Sequence, residues 1–446
     1  MSISCGRRDF LRQAGGGLGM LALGSLLEAQ EHFAPKARSV IWLFMEGGPS
    51  GFDLFDYKPE LQKNSGKRVQ GIEPFFGSPG PLLGSPYAFR RFGQSGATVC
   101  EKYSTLAQHV DEIAFLKSCW SESNNHGPAM YQINTGLPRV GFPSVGSWVT
   151  YGMGSENRNL PGFIVLGNSQ GVKGGATNWG SGFLPSSYQG TLFRANGSPI
   201  LNLERPGDVS AERQRAMLDA AAALNGAHLA GHPGEADLEA RIESFEMAYR
   251  MQVAAKELVD FTGESDETRT LYGLKGEKSR PFGEKCLLAR RLVERGVRFV
   301  QAYTNDEWDA HGSIKANHDA RCAETDVPIA GLLTDLKRRG LLETTLVVWG
   351  GEFGRMPVSE KGQGRDHNPN GFLMWMAGGG VKGGVSYGET DEIGYKAAVD
   401  PVSVHDVHAT ILHLLGLDHK RLTYPHNGRR FRLTDVHGNV LTKILA

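Results

Sequence analysis

The chain has 446 residues, enough for a large buried core and, on length alone, for two or three domains. Its 48 Lys and Arg residues balance its 48 Asp and Glu residues. This zero formal net charge argues against non-specific binding to nucleic acid, which depends on neutralising phosphates. The 59 glycines indicate many turns and loops, which suits a site built on loops.

The beginning of the chain has the pattern of an export signal. The pair Arg7-Arg8 precedes a weakly apolar run from Gly15 to Leu27. A twin arginine before such a run is typical of a Tat signal, and the run is short for a transmembrane helix. We therefore predict that residues 1–34 are a Tat signal peptide or an uncleaved N-terminal anchor, and that the protein is exported to the periplasm or beyond the cell. Membrane contact is expected only through an uncleaved signal.

Strand and helix patterns alternate along most of the remaining chain, 36–446. Strands are predicted at 39–45, 113–118, 163–166, 298–303, 345–349 and 373–377, and helices at 129–134, 286–295, 323–339 and 402–415. This alternation predicts an α/β fold with a parallel or mostly parallel sheet and helices on both faces. Residues 168–280 interrupt the pattern with a stretch rich in Gly, Ser and Asn and two helical segments. We interpret 168–280 as an inserted cap with helices.

Acidic and imidazole side chains follow three of the predicted strands. The candidate metal ligands are Glu46 after the first strand, Asp309 and His311 after the strand at 298–303, and Glu352, Asp366 and His367 after the strand at 345–349. Ligands of open α/β sheets bind beyond the carboxyl ends of the strands. Carboxylate and imidazole together suit a divalent ion such as zinc or manganese, and two such clusters would fit a two-metal site.

Three positions are candidate catalytic residues, and one of them, Glu352, is also a candidate metal ligand. His126 precedes a predicted helix, Glu352 follows a strand, and Arg355 carries a guanidinium that suits a sulfate or phosphate group. Each has a plainer alternative: His126 could cap its helix, and Glu352 could form an ion pair with Arg355. Asp309 with His311, and Asp366 with His367, could instead cap a helix and form an Asx-type turn.

Six segments in order carry a resemblance to a known family. They are FMEGGPSGFDLFDYKP, NNHGPAMYQINTG, WDAHG, GGEFGRMP, GRDHNPNGF and DVHATILHLLGLDHKRLTY. With them, residues from about 36 to 440 resemble the bacterial domain-of-unknown-function 1501 family, which is grouped with the alkaline phosphatase-like and sulfatase superfamily. The resemblance implies a doubly wound α/β sheet with a metal site at the carboxyl ends of the strands.

The resemblance also implies departures from the superfamily pattern. His126 stands where sulfatases carry their cysteine nucleophile, and Glu352-Phe353 stands where the superfamily usually has Asp-His. The implied function is a metal-dependent hydrolase of phosphate or sulfate esters that uses zinc, manganese or calcium and acts on a small-molecule or glycan ester, with no nucleic-acid partner. The alternative is a non-catalytic relative that binds sulfated or phosphorylated glycans or a protein partner.

Overall fold

The computed structural model describes residues 32–75, 77–168, 171–194, 200, 205, 207–231, 236–305 and 307–446. The predicted Tat signal lies outside the described residues except for its last three positions.

The described residues form 17 β-strands and ten α-helices. In chain order the strands are β1 (Ser39–Phe44), β2 (Phe89–Phe92), β3 (Ala97–Cys100), β4 (Ile113–Trp120), β5 (Phe163–Leu166), β6 (Thr191–Phe193), β7 (Phe299–Tyr303), β8 (Thr345–Gly350), β9 (Gly354–Arg355), β10 (His367–Asn368), β11 (Phe372–Ala377), β12 (Val385–Tyr387), β13 (Glu389–Thr390), β14 (Ala397–Val399), β15 (Val402–Ser403), β16 (Tyr424–His426) and β17 (Arg429–Phe431). The α-helices are α1 (Gly51–Leu54), α2 (Pro59–Lys63), α3 (His126–Thr135), α4 (Val145–Met153), α5 (Ala211–Gly231), α6 (Ala236–Val259), α7 (Asp266–Leu271), α8 (Arg280–Glu294), α9 (Ile314–Arg338) and α10 (Val404–Leu414).

A central sheet organises the described chain. Its strand order is β12-β4-β11-β8-β1-β7-β5-β6, and β15 also pairs with β4. Every pairing in this sheet is parallel except the two made by β11, which runs antiparallel to β4 and to β8. The predicted α/β fold with a mostly parallel sheet is confirmed.

Two apolar cores lie on opposite faces of this sheet. Side chains alternate along each strand, so in β1 Ile41 and Leu43 enter one core whereas Val40 and Trp42 enter the other. Helices α8 and α9 cover the first face, and α3, α4 and α10 cover the second. Near-continuous apolar strands are expected where helices bury a parallel sheet on both sides.

The segment 168–280 was interpreted as an inserted cap, and its described part is not purely peripheral. Strand β6 extends the edge of the central sheet beside β5, whereas α5 and α6 pair with each other through the Arg215–Glu246 ion pair. In the described parts of the chain no helix is both long and apolar enough to cross a membrane.

Candidate functional site

The acidic and histidine side chains of the candidate site lie at one edge of the sheet. The loops that follow β1, β4, β7 and β8 all lie there, because these strands run in the same direction. Strand β11 runs the opposite way, so the residues that precede it reach the same edge. The segments after β1, β4 and β7 and the one that joins β8 to β11 are four connections, and they carry the site residues Glu46, His126, Asp309, His311, Glu352, Asp366 and His367.

Three ligand-type atoms form a small triangle at the centre of this edge. His311 Nε2 lies 2.9 Å from His367 Nε2 and 3.0 Å from Asp309 Oδ1, and His367 Nε2 lies 3.2 Å from the same oxygen. Tetrahedral ligands about 2.0–2.1 Å from a zinc ion stand about 3.3 Å apart. The triangle therefore has nearly the dimensions of one face of a metal site.

The other ring nitrogen of each histidine in the triangle faces an acceptor. His311 Nδ1 lies 2.5 Å from Glu360 Oε2, and His367 Nδ1 lies 2.7 Å from the backbone oxygen of Asn124. A carbonyl oxygen accepts only, so His367 Nδ1 must donate, and Glu360 favours the same arrangement in His311. Partners of this kind leave Nε2 as the lone-pair nitrogen and are typical of metal-ligating histidines.

His126, the first residue of α3, stands beside the triangle. Its Nδ1 lies 2.7 Å from Glu352 Oε1, and its Nε2 lies 3.2 Å from Asp309 Oδ2. That Nε2 is buried and makes no well-oriented hydrogen bond with any described residue. Burial disfavours the charged ring, but the carboxylates of Asp309 and Glu352 outweigh it and raise the pKa of His126 to about 9.

Asp309 is held by a buried guanidinium. Arg355 Nη2 donates to Asp309 Oδ1 at 2.6 Å, and three other N–H groups of the same side chain bind the backbone oxygens of Gly47, Gly48 and Arg365. Burial alone would raise the pKa of Asp309. The three histidines and Arg355 instead hold that pKa well below its usual range, so this carboxylate stays ionised.

Two overlapping groups of residues in the described chain have ligand atoms close enough to hold a metal ion. One is His126, Asp309 and His367, and the other is His311, Asp366 and His367; within each group the ligand atoms lie within 4.8 Å of one another. The donor set fits a divalent cation, because the Nε2 lone pairs of His311 and His367 face the ionised carboxylate of Asp309. Five of the residues predicted from sequence are therefore brought together.

Glu46, Glu352 and Arg355 occupy places beside the triangle. Glu46 is fully buried and accepts hydrogen bonds from Asn168 Nδ2 at 3.0 Å and from the backbone N–H of Lys173 at 2.7 Å. Glu352 is also fully buried and accepts from the backbone N–H of Gly47 at 3.0 Å as well as facing His126. Glu46 and Glu352 are therefore held by hydrogen bonds beside the triangle, and Arg355 donates to Asp309.

Sequence reasoning missed three contributors to the site. Glu360 lies in the polar loop before Asp366 and contacts His311, and Asn124 contributes only a backbone oxygen. Lys173 follows β5, and its Nζ lies 2.6 Å from Glu307 and 3.6 Å from Asp309. Asp309 was predicted because ligands bind beyond the carboxyl ends of the strands, and the same reasoning applies to the loop after β5. The described part of that loop contains no acidic residue or histidine that would have drawn attention to it.

Fold and site together define an α/β protein with a candidate metal site at the carboxyl-end edge of its sheet. The family described as "Protein of unknown function (DUF1501)" matches residues 37–445, and the chain belongs to this family. A comparison with curated protein sequences gave no significant match.

Several solved structures resemble the chain at low identity. A sulfatase, PsFucS1 from Pseudoalteromonas sp., is 14% identical with a TM-score of 0.40, over 96% of this chain and 75% of that one. The phosphonate monoester hydrolase SpPMH from Silicibacter pomeroyi is 11% identical with a TM-score of 0.37, over 77% and 71%. An alkaline phosphatase from the Antarctic bacterium TAB5 is 11% identical with a TM-score of 0.34, over 80% and 96%. These scores are low, so any functional conclusion has to come from the site geometry.

Proposed function

We propose that this chain is an exported, metal-dependent hydrolase of phosphate or sulfate esters. The observation that supports it is the triangle of His311 Nε2, His367 Nε2 and Asp309 Oδ1, with sides of 2.9–3.2 Å. Three acceptor atoms that lie this close repel one another unless a proton or a cation lies between them. Export rests on the Arg7-Arg8 pattern, which lies outside the described residues.

We assign the cation to His311, His367 and Asp309, with Asp366 as a neighbouring carboxylate. Two imidazoles and carboxylate oxygens suit zinc or manganese, whereas calcium prefers oxygen ligands throughout. Glu360 and the Asn124 carbonyl orient the two rings, and Arg355 orients Asp309. A divalent cation held there supplies Lewis acidity toward an ester oxygen and acidifies a water molecule.

His126 supplies the proton in this proposal. Its pKa of about 9 keeps the ring protonated at neutral pH, and Glu352 fixes Nδ1 so that Nε2 faces the triangle. A protonated Nε2 in that place can donate to the oxygen of the departing alcohol. Arg355 and Glu352, first considered as catalytic residues, act as positioning residues here.

Water is the proposed nucleophile. The hydroxyl groups nearest to His126 along the chain are engaged elsewhere: Ser121 Oγ donates to the Glu352 backbone oxygen, and Ser123 Oγ to that of Asn125. An imidazole at position 126 in place of a hydroxyl or thiol is consistent with direct attack by water.

Metal analysis combined with activity tests the proposal. We expect the purified protein to hold a stoichiometric divalent ion and to hydrolyse an aryl phosphate or aryl sulfate with zinc or manganese. His311→Ala should lose both the ion and the activity, whereas His126→Ala should keep the ion and lose activity. His437→Ala, which replaces an exposed histidine, is the matched control. Wild-type protein without a stoichiometric ion, or His311→Ala with full activity, would contradict the proposal.

A second function, non-catalytic binding of sulfated or phosphorylated glycans or of a protein partner, is favoured by Phe353. Its ring stacks on His367 at 4.5 Å between centroids and lies 4.9 Å from His126. An apolar ring thus occupies the place where the superfamily resemblance implies an imidazole. A protein that binds the ion and retains anionic glycans, but turns over no aryl ester, would support this second function.

A further inference from the structure

The candidate site is rich in negative charge and has few free cations. Asp309, Glu352, Glu360 and Asp366 are all carboxylates at the site, and Glu307 lies at its margin. The guanidinium of Arg355 is completely buried, and its donors already bind Asp309 and three backbone oxygens. Four of its five N–H groups are engaged in this way, and the fifth belongs to the same buried group, so Arg355 is not open to an ester from solution.

Lys173 is a second cation that reaches Asp309, and it is partly open to solvent. Its side chain is 32% exposed, and its Nζ lies 2.6 Å from Glu307 Oε2 and 3.6 Å from Asp309 Oδ2. Another lysine near the site, Lys361, is 72% exposed, and its Nζ lies 3.6 Å from Glu360, the carboxylate that faces His311 Nδ1. Of these two lysines, Lys173 is the one whose Nζ lies near Asp309.

Both backbone polar groups of Lys173 form hydrogen bonds, so its flexible side chain extends from a backbone that is held in place. Its N–H donates to Glu46 Oε1 at 2.7 Å, and its carbonyl accepts from Asn178 Nδ2 at 2.7 Å. Glu46 also accepts from Asn168 Nδ2, so one buried carboxylate binds both Asn168 and Lys173. Because the four-carbon stem of a lysine is flexible, rotation about its bonds can move Nζ from Glu307 to a ligand near Asp309.

We infer that Lys173 binds the anionic oxygens of a phosphate or sulfate group, and that Glu307 holds the lysine in place until such a group displaces it. The inference rests on the proposed function and names the residue that gives the site its preference for anionic esters. Lys173 forms one charged hydrogen bond with a non-bridging oxygen and exchanges its bond to Glu307 for it. No covalent bond changes in this step.

Binding of inorganic phosphate and sulfate, measured by calorimetry with and without added zinc, tests the inference. Loss of one charge-assisted hydrogen bond predicts that Lys173→Met weakens phosphate binding about tenfold or more and that Lys173→Arg recovers part of it. Glu307→Gln removes the competing carboxylate and should tighten phosphate binding about threefold. Lys275→Met is the matched control, because Lys275 pairs with Asp266 at the same 2.6 Å outside the site.

Kinetics separate this inference from the proposed function. With an aryl phosphate as substrate, Lys173→Met should raise KM much more than it lowers kcat. If wild-type protein hydrolyses the ester and Lys173→Met keeps both the wild-type KM and the wild-type affinity for phosphate, the inference alone is overturned. If wild-type protein binds neither anion and hydrolyses no ester, the inference falls together with the proposed function.

Discussion

At the scale of single residues, the site depends on which ring nitrogen each histidine presents. His126, His311 and His367 each direct Nδ1 at an acceptor, namely Glu352, Glu360 and the Asn124 carbonyl. Nε2 of each ring then faces the same small volume around Asp309. Glu360 and the Asn124 carbonyl fix the tautomer and the orientation of the His311 and His367 rings, and Glu352 fixes the orientation of the protonated His126 ring.

The raised pKa of Glu46 predicts that the stability of the fold depends on pH. Burial raises its pKa to about 7, above the ordinary value of 4.5, so the folded state binds its proton more tightly than the unfolded state. The stabilising contribution of this proton is complete below about pH 4.5 and is lost as the pH rises through about 7. We expect the free energy of unfolding to fall by about 2–3 kcal/mol more in wild-type protein than in Glu46→Gln between about pH 5 and pH 8.

Urea unfolding of both proteins in the presence of a chelator measures this difference. His126, whose pKa is raised to about 9, also titrates at alkaline pH, but it is present in both proteins and cancels in the comparison. Parallel stability profiles for wild type and Glu46→Gln would show that Glu46 is already ionised throughout this range.

At the scale of secondary-structure elements, close backbone contacts between loops set the positions of the ligands. Gly47 after β1 has a φ of +103°, and a Cβ there would lie 2.6 Å from the backbone nitrogen of Trp308 and 2.7 Å from that of Asp309. The loops after β1 and β7 therefore touch through a position that only glycine fits. The carboxylate of Asp309 is placed by this contact as well as by Arg355.

A second close backbone contact between loops lies at Gly364. A Cβ at Gly364 would lie 1.8 Å from the backbone oxygen of His311, whereas a Cβ at the neighbouring Gly312 would meet open space. Gly364→Ala must push the two loops apart, so we expect it to weaken metal binding and to lower the free energy of unfolding by about 1–3 kcal/mol. Metal titration and urea unfolding measure the two effects.

Gly312→Ala is the matched control for Gly364→Ala and should stay close to wild type in both measurements. Equal metal affinity in Gly364→Ala and Gly312→Ala would show that the contact with the His311 carbonyl does not position the ring.

The elements also show how far sequence patterns reach. Apolar runs predicted β5 at 163–166 without error and β8 to within one residue, because a buried strand needs apolar side chains on both faces. Helix α9 was predicted from 323 but begins at Ile314. Its first turns carry polar side chains such as Asn317 and the buried His318, which accepts a hydrogen bond from the backbone N–H of Ser50. Tertiary contacts there replaced the apolar periodicity on which the prediction relied.

At the scale of the whole molecule, the sheet is the rigid support of the site, and its two cores stabilise it. Trp375 in β11 is completely buried and stacks on Trp349 of β8, with centroids 6.1 Å apart and planes inclined by 2°. This pair joins the antiparallel strand to the parallel ones. We expect Trp375→Ala to lower the free energy of unfolding by about 3–5 kcal/mol, because it leaves a large cavity between β8 and β11.

Trp120→Ala is the control for this prediction, since Trp120 is 38% exposed and should cost about 0.5 kcal/mol or less. Urea unfolding followed by circular dichroism measures both variants. A loss of stability in Trp375→Ala no larger than that in Trp120→Ala would show that the β8–β11 junction repacks without cost.

The sequence alone determined the class of fold, and it predicted most of the residues that the structure brings together in the candidate site. Strand and helix periods follow from burial, which acts locally along the chain, and Asp309, His311 and His367 were recognised because their side chains are the usual metal ligands. The tertiary structure alone decided how those residues meet. The reversed direction of β11 brings His367 to the edge where the parallel strands end, and hydrogen bonds from distant residues direct each Nε2 inward.

The residues that support the site were not predicted from the sequence, because their roles also depend on tertiary contacts. Each supporting group contacts a site residue that is distant in the sequence: Glu360 faces His311, Lys173 lies near Asp309, and the Asn124 carbonyl accepts from His367. Residue type and spacing along the chain do not reveal such contacts. Chemistry that depends on the kind of side chain can be read along the chain, whereas chemistry that depends on which atoms face each other exists only once the chain has folded.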